Sequence, residues 1–425
     1  MLNQKVNNEI KRLFERTNPK SGFTPGKSKI PLIKPTFNHE EIIEALDSMI
    51  STQVTMGKKV RLFEKMFSKY CGSKYATMVN SGSSANLLGI SILVNPKFIR
   101  KIRPGSEVIT PAVTWPTTIY PIVNAGLKPK LIDVDLETYC IDADQIPDAI
   151  NENTALLLPV HLLGNVCEMD KITEMADKKN LLIMEDCCEA HGAKFRNKHV
   201  GNFGVIGTFS FFLSHHITTI EGGMMITNEE SVDELSKMLR AFGWIRDIKN
   251  RDTKIRENPH IDPRFLFVNL GFNMRPTEIQ GAFGINQISK LDKFIQIRKE
   301  NMRFWNKALE PYRDYLILPK EQKNAKQVHF CYPVTIRSDA PFNRTELTGL
   351  LEKKKIETRP IMSGNITEQP VMKLIKYSTQ GELPNSKLIM RNSFLFGNHQ
   401  GIGRGEREFV AECIIDFIES KMWNR

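Results

Sequence analysis

Two adjacent histidines, His215 and His216, stand in F-S-F-F-L-S-H-H-I-T-T-I-E-G-G at residues 209–223. An imidazole in a cleft is the side chain best suited to move a proton near neutral pH. Neighbouring residues point to opposite faces of a strand and diverge on a helix, so the pair is not expected to chelate one metal ion, and no H-E-x-x-H or similarly dense spacing supplies a zinc site. The apolar run L-L-I-M-E-D-C-C-E-A-H-G (181–192) delivers Asp186 to the carboxyl end of an expected strand, the edge at which parallel sheets form ligand crevices. A carboxylate there can keep a pyridine nitrogen protonated, or, with Glu185, it can simply begin a polar loop. N-S-G-S-S-A-N (80–86) ends another apolar run and opens a helix. Its glycine permits close backbone approach, Ser83 offers a hydroxyl, and the free N–H groups of a helix start attract phosphate. Each segment alone also has an ordinary structural explanation, because Gly and Ser are common in strand-to-helix turns and histidines in loops.

The elements that must position these side chains follow from periodicity. From about Tyr75 to Asn228, short apolar runs (75–80, 107–112, 130–135, 154–162, 181–187, 205–212 and 223–228) alternate with helical patterns. That alternation predicts an α/β fold with a large, mostly parallel seven-stranded sheet. A polar stretch, 246–265, follows and reads equally well as a substrate lid or a surface excursion; a long helical region from about Thr277 to Tyr312 comes next. From Val328 a smaller αβ unit is expected: a strand V-H-F-C-Y-P-V-T-I, a helix Thr345 to Lys355, a strand I-E-T-R-P-I and a closing helix near Glu406 to Met422. The division expected is an N-terminal arm (1–30), a large domain (31–290), and a connecting helix with a small C-terminal domain (291–425).

With 425 residues and 41% hydrophobic content the chain can fill a sizeable core. Met1 to Thr17 is a polar helical pattern without the apolar centre of a signal peptide, and no apolar run is long enough to span a membrane. The seven cysteines show no C-x-x-C spacing, which argues against a disulfide framework and for a cytoplasmic protein. The net charge of +11 comes from scattered lysines and arginines without aromatic interleaving, so nucleic acid is not an expected partner.

The three segments in this order, with W-P-T-T (115–118) between the first two and G-F-N-M-R-P-T-E-I-Q-G-A-F-G (271–284) after them, resemble the sugar aminotransferase family of pyridoxal-phosphate enzymes from about Ile30 onward. The resemblance implies the aspartate aminotransferase fold. It makes Gly82, Ser83 and Ser210 phosphate ligands, Trp115 the aromatic stacked on the cofactor ring, and Asp186 the partner of the pyridine nitrogen. It also implies a homodimer with shared active sites, in which Asn273 reaches the phosphate of the neighbouring subunit's cofactor.

One position departs from that pattern. Five residues after Ser210, where family aminotransferases carry the Schiff-base lysine, this chain has His215. Imidazole cannot make that bond, so the cofactor is expected to be held non-covalently, with His215 as acid/base. S-H-H-I-T-T-I-E-G-G, together with G-N-I-T-E-Q-P (364–370) and G-N-H-Q (397–400), is similar to a 3-dehydratase subgroup acting on GDP- or CDP-linked 4-keto-6-deoxyhexoses. That likeness implies loss of the C3 hydroxyl from a nucleotide-diphosphate sugar in deoxysugar synthesis for cell-surface polysaccharides such as lipopolysaccharide O-antigen. Pyridoxamine phosphate would be regenerated from glutamate. Glu189 is a candidate for a sugar hydroxyl or a plain loop carboxylate, and Arg246 a candidate for the diphosphate. The CDP-sugar relative uses an iron–sulfur cluster on cysteines after its histidine. This chain has no cysteine between Cys188 and Cys331, so no cluster of that type is expected. An aminotransferase with a non-lysine base and a catalytically inactive cofactor binder are the alternatives.

Overall fold

The computed structural model describes residues 2–19 and 22–422. Met1, Lys20 and Ser21 of the expected arm, and Trp423 to Arg425 at the C-terminal end, lie outside the described residues. Seven strands, β1 (Tyr75–Val79), β2 (Glu107–Pro111), β3 (Lys128–Ile132), β4 (Thr154–Leu157), β5 (Leu182–Asp186), β6 (Ile206–Ser210) and β7 (Gly223–Thr227), form the main sheet in the order β1-β7-β6-β5-β4-β2-β3. All but β7 run parallel; β7 is antiparallel to both β1 and β6. To the seven expected strands the structure adds an eighth, two-residue strand, Ser378–Thr379, parallel to β3. β5, β6 and β7 are buried at every position, as strands covered by helices on both faces must be.

The parallel register brings the ends of β1, β2, β5 and β6 to one edge, and the antiparallel β7 begins there. Helix Gly82–Leu93 starts at that edge with Ser81 as its N-cap, accepting from the Ser84 N–H at 3.1 Å. Helix Pro116–Asn124 starts there too, its proline in the first turn where no donor is lost.

A second sheet, with order Leu316–Ile317, Cys331–Ile336, Ser393–Gly397, Thr358–Arg359, is antiparallel throughout. Tyr332 stacks on Phe396 at its centre and Trp305 meets both edge-on, with ring centroids 4.9–5.2 Å apart. Helix Leu291–Leu309 joins the two units. Leu291 and Ile295 belong to the core of the large sheet, and Met302, Trp305 and Leu309 to that of the small one. Residues 364–383 fold back onto the large sheet, where Ile366, Met372 and Leu383 pack with Ala112, Ile119 and Leu131. The stretch 246–265 carries a short helix, Arg251–Glu257. No helix among the described residues is long and apolar enough to cross a membrane.

Candidate functional site

A cavity of about 550 Å³ opens at the carboxyl edge of the large sheet, closed on its far side by Phe330, Cys331, Arg359 and Leu395 of the smaller unit. Gly82, Ser83, Trp115, Asp186, Glu189, Ser210 and His215 line it together. Asn273 and Arg246 do not line this chain's cavity. The Asn273 amide oxygen accepts from Arg275 Nε at 3.0 Å, and the Arg246 guanidinium lies 4.0 Å from the Trp244 ring centroid.

Gly82 is the first residue of its helix and packs flat on Ser210; a Cβ at this position would sit 2.4 Å from the Ser210 Cβ. The helix start, Ser83 and Ser210 therefore share one corner. The Ser83 hydroxyl donates to Thr117 Oγ1 at 2.9 Å, tying the starts of the two helices together. Unpaired N–H groups of a helix start beside two hydroxyls make a cradle for phosphate.

Asp186 lies at the floor, only 4% exposed. Its Oδ2 accepts from Asn86 Nδ2 at 2.8 Å and from the Thr118 hydroxyl at 2.9 Å, and its Oδ1 from the Cys188 N–H at 3.1 Å. Asn86 is in turn fixed by the Thr208 hydroxyl at 2.6 Å. Every one of these partners is neutral, so the carboxylate faces the cavity without a counter-charge, and a buried charge calls for one. Glu185, its neighbour, points the other way and accepts from the N–H groups of Gly201, Phe203 and Gly204 at 2.6–2.9 Å. That carboxylate fastens a loop to the strand.

Above the floor, Trp115 is 56% exposed to the cavity mouth, an open indole face held by the helix it caps. Its freedom from other rings leaves it available to stack on a planar ligand.

The two histidines diverge, as expected. His216 is buried and pairs through Nε2 with the Val328 carbonyl at 3.1 Å. His215 faces the cavity, in an aromatic surround with Phe330 at 5.3 Å and Phe212 at 6.4 Å between ring centroids. Its Nδ1 is buried without a hydrogen-bond partner. Burial, with the Arg298 guanidinium behind it, pushes its pKa down to about 3, so the ring is neutral at physiological pH. Glu189 accepts from the Leu163 N–H at 2.8 Å, and burial raises its pKa to about 8, keeping it largely a neutral acid at pH 7. A neutral acid and a neutral base thus share one cavity.

His161, Glu185 and Cys187 have ligating atoms within 4.8 Å of one another. Hydrogen bonds use them up: His161 Nδ1 accepts from the Cys167 N–H at 3.2 Å, which leaves Nε2–H to donate to Glu185 at 3.2 Å. No imidazole lone pair is left for an ion in that arrangement.

Asn86 and Thr118, which hold Asp186, were quoted within the sequence motifs without a role. Their signal is positional: Asn86 lies one helical turn after Gly82, on the same face. Arg359, Phe330 and Cys331 come from the distant small unit, and nothing local in the sequence points to them.

The model of the DegT/DnrJ/EryC1/StrS aminotransferase family matches residues 35–415. The chain is 37% identical over 388 residues to GDP-4-keto-6-deoxy-D-mannose 3-dehydratase of Escherichia coli O55:H7, covering 90% of this chain and 99% of the relative. It is 38% identical over 379 residues to the enzyme of the same name from Yersinia pseudotuberculosis, with 87% and 94% covered. A solved structure of GDP-4-keto-6-deoxymannose-3-dehydratase with a trapped PLP-glutamate geminal diamine superposes with a TM-score of 0.86 at 35% identity, over 91% of this chain and 100% of that one.

Proposed function

Because the chain belongs to the DegT/DnrJ/EryC1/StrS aminotransferase family, we propose that it is a pyridoxal/pyridoxamine phosphate-dependent 3-dehydratase that removes the C3 hydroxyl from a nucleotide-linked 4-keto-6-deoxyhexose, with GDP-4-keto-6-deoxy-D-mannose as substrate. The observation that carries this reading is His215 in the cavity that holds the uncompensated Asp186, with no lysine among the lining residues. A transaminase of this fold needs that lysine, whereas a dehydratase needs a base that cannot capture the cofactor.

The residues fit the cofactor. The Gly82 helix start, Ser83 and Ser210 would hold its phosphate, Trp115 its ring face, and Asp186 the protonated ring nitrogen, the counter-charge this carboxylate otherwise lacks. When bound, pyridoxamine phosphate supplies the amine that joins the C4 ketone and the ring that accepts electrons. His215, neutral because of its burial, would be the group that accepts a proton at the cofactor's C4′ position. The same imidazole, once protonated, would be placed to give that proton to the departing C3 oxygen. Glu189, largely protonated, is placed to donate a hydrogen bond to a sugar oxygen.

In this reading glutamate restores the amine form, residues 31–290 bind the cofactor, 291–425 close over it, and 1–30 form an arm. Asn273 acts across a homodimer on the partner's cofactor phosphate; Arg246, which stands over Trp244 outside this chain's cavity, keeps only a candidate role toward the substrate diphosphate. Cys188 and Cys331 are the thiols that line the cavity, too few for an iron–sulfur cluster there. A cytoplasmic role in supplying deoxysugar for cell-surface polysaccharide follows from such a substrate. The test is incubation of purified protein, pyridoxamine phosphate and glutamate with GDP- and CDP-linked 4-keto-6-deoxyhexoses, followed by chromatography. Consumption of the GDP-sugar is expected. Tight cofactor binding with neither sugar consumed would overturn the reading in favour of a non-catalytic binder.

A further inference from the structure

Behind His215 lies a second, wholly buried imidazole. His191 follows β5 by five residues and has no exposed surface. Phe67, Phe209 and Phe211 surround it with ring centroids at 5.4–6.4 Å, and the rings of His215 and His216 lie at 5.9 and 5.5 Å. A ring in such a nest is ordinarily phenylalanine or leucine. Among the described residues neither nitrogen of His191 has a hydrogen-bond partner of ordinary geometry, and the Nδ1 atoms of His215 and His216 have none either. Leaving a buried polar atom unpaired costs on the order of 1–3 kcal/mol, so a buried imidazole among phenyl rings is retained against a steady penalty.

The neighbours allot the two nitrogens. A neutral imidazole carries one donor and one acceptor. The Ser210 backbone favours the protonated form of His191, as a carbonyl beside a ring N–H does, although the two make no hydrogen bond of ordinary geometry. The other nitrogen is then an acceptor. Among the described residues no carboxylate is hydrogen-bonded to the orphaned His215 Nδ1, and the nearby cation, Arg298, spends its Nη1 on the Phe330 and Asn398 carbonyls.

We propose that His191 is a positioning residue for His215: with a small rotation of the facing rings it accepts the Nδ1–H of His215, fixing the tautomer whose Nε2 lone pair faces the cavity. This arrangement differs from a histidine backed by a carboxylate, which stabilises the imidazolium. A neutral acceptor fixes the tautomer without stabilising the charged form, which suits a group that takes a proton and must give it up again. The inference rests on the proposed role of His215 as base, but the tautomer can be measured whatever reaction the protein performs.

The test combines two readouts on the full-length protein. In magic-angle-spinning spectra of [15N]histidine-labelled wild type, with His215 assigned by difference from His215→Asn, its Nδ1 is expected to be protonated and its Nε2 unprotonated. In His191→Phe, which fills the nest without a nitrogen, the signals should show mixed tautomers, and kcat for dehydration should fall roughly a hundredfold at unchanged KM. His191→Gln, which keeps an acceptor, should restore both to near wild type. Protonated Nε2 in the wild-type spectrum would overturn the proposal, even if His191→Phe did not fold. So would an unchanged tautomer and turnover in His191→Phe. If the tautomer behaves as expected while no nucleotide sugar is dehydrated, the proposed function fails and the positioning role stands.

Discussion

Replacing Glu189 with glutamine should make the protein more stable at alkaline pH, an unusual outcome for losing a charge. Burial, with Asp186 nearby, pushes the Glu189 carboxyl up to about 8 from an ordinary value of 4.5. Its folded pKa is therefore above its unfolded one. Between those two values the native state keeps a proton that the unfolded chain gives up, so stability falls as pH rises through this window and levels off above about 8. The cost of holding the anion at pH 9 is at most about 5 kcal/mol by linkage. Relaxation and water entry reduce what is measured to about 2–3 kcal/mol. Glutamine cannot ionise and still offers an oxygen to the Leu163 N–H, which Glu189 accepts at 2.8 Å. Thermal melts should place Glu189→Gln several degrees above wild type at pH 9 and level with it at pH 5. Superimposable curves of melting temperature against pH would refute the account of a carboxyl kept neutral by its site.

Other perturbations separate the remaining roles. His215→Asn should bind pyridoxamine phosphate as well as wild type does but lose at least a hundredfold in kcat, read by single-turnover kinetics. In Gly82→Ala the new methyl would lie 2.4 Å from the Ser210 Cβ, so the phosphate cradle must open; cofactor Kd measured by calorimetry should rise tenfold or more. Asp186→Asn must set an amide N–H against either the Cys188 N–H or the Asn86 and Thr118 donors, and it also loses the anion. It should weaken cofactor binding by ten- to a hundredfold and cut turnover further.

How much of this was legible in the sequence depended on whether a signal was local. The strands that end at Asp186 and Ser210 are buried on both faces, so their apolar runs announced themselves, and the residues that follow fell into the cavity together. The expected strand at 154–162 was too long. It stops at Leu157, and after the Val160 bridge to Asp186 the chain turns through Leu163, which has φ 56°. One of the two inner strands of the small sheet, Ser393–Gly397, was missed because S-F-L-F-G is short and ends in a glycine, and its place depends on pairing with Cys331–Ile336 far back in the chain. The eighth strand of the large sheet shows no run at all: Ser378 and Thr379 are exposed, and their position is set by the packing of Ile366, Met372 and Leu383. The back wall at Phe330 and Arg359, and the imidazole nest behind His215, are likewise tertiary products. His191 stood inside a quoted motif, but one sequence alone does not tell a buried histidine from a loop histidine.

The most direct test of the central claim is the mass of the sugar nucleotide formed by wild type and by His215→Lys from GDP-4-keto-6-deoxy-D-mannose with pyridoxamine phosphate and glutamate. The account predicts a wild-type product that has lost one oxygen and gained no nitrogen, absent from the lysine variant. A wild-type product that gains nitrogen and keeps every hydroxyl would contradict it and make the protein an aminotransferase that works without lysine.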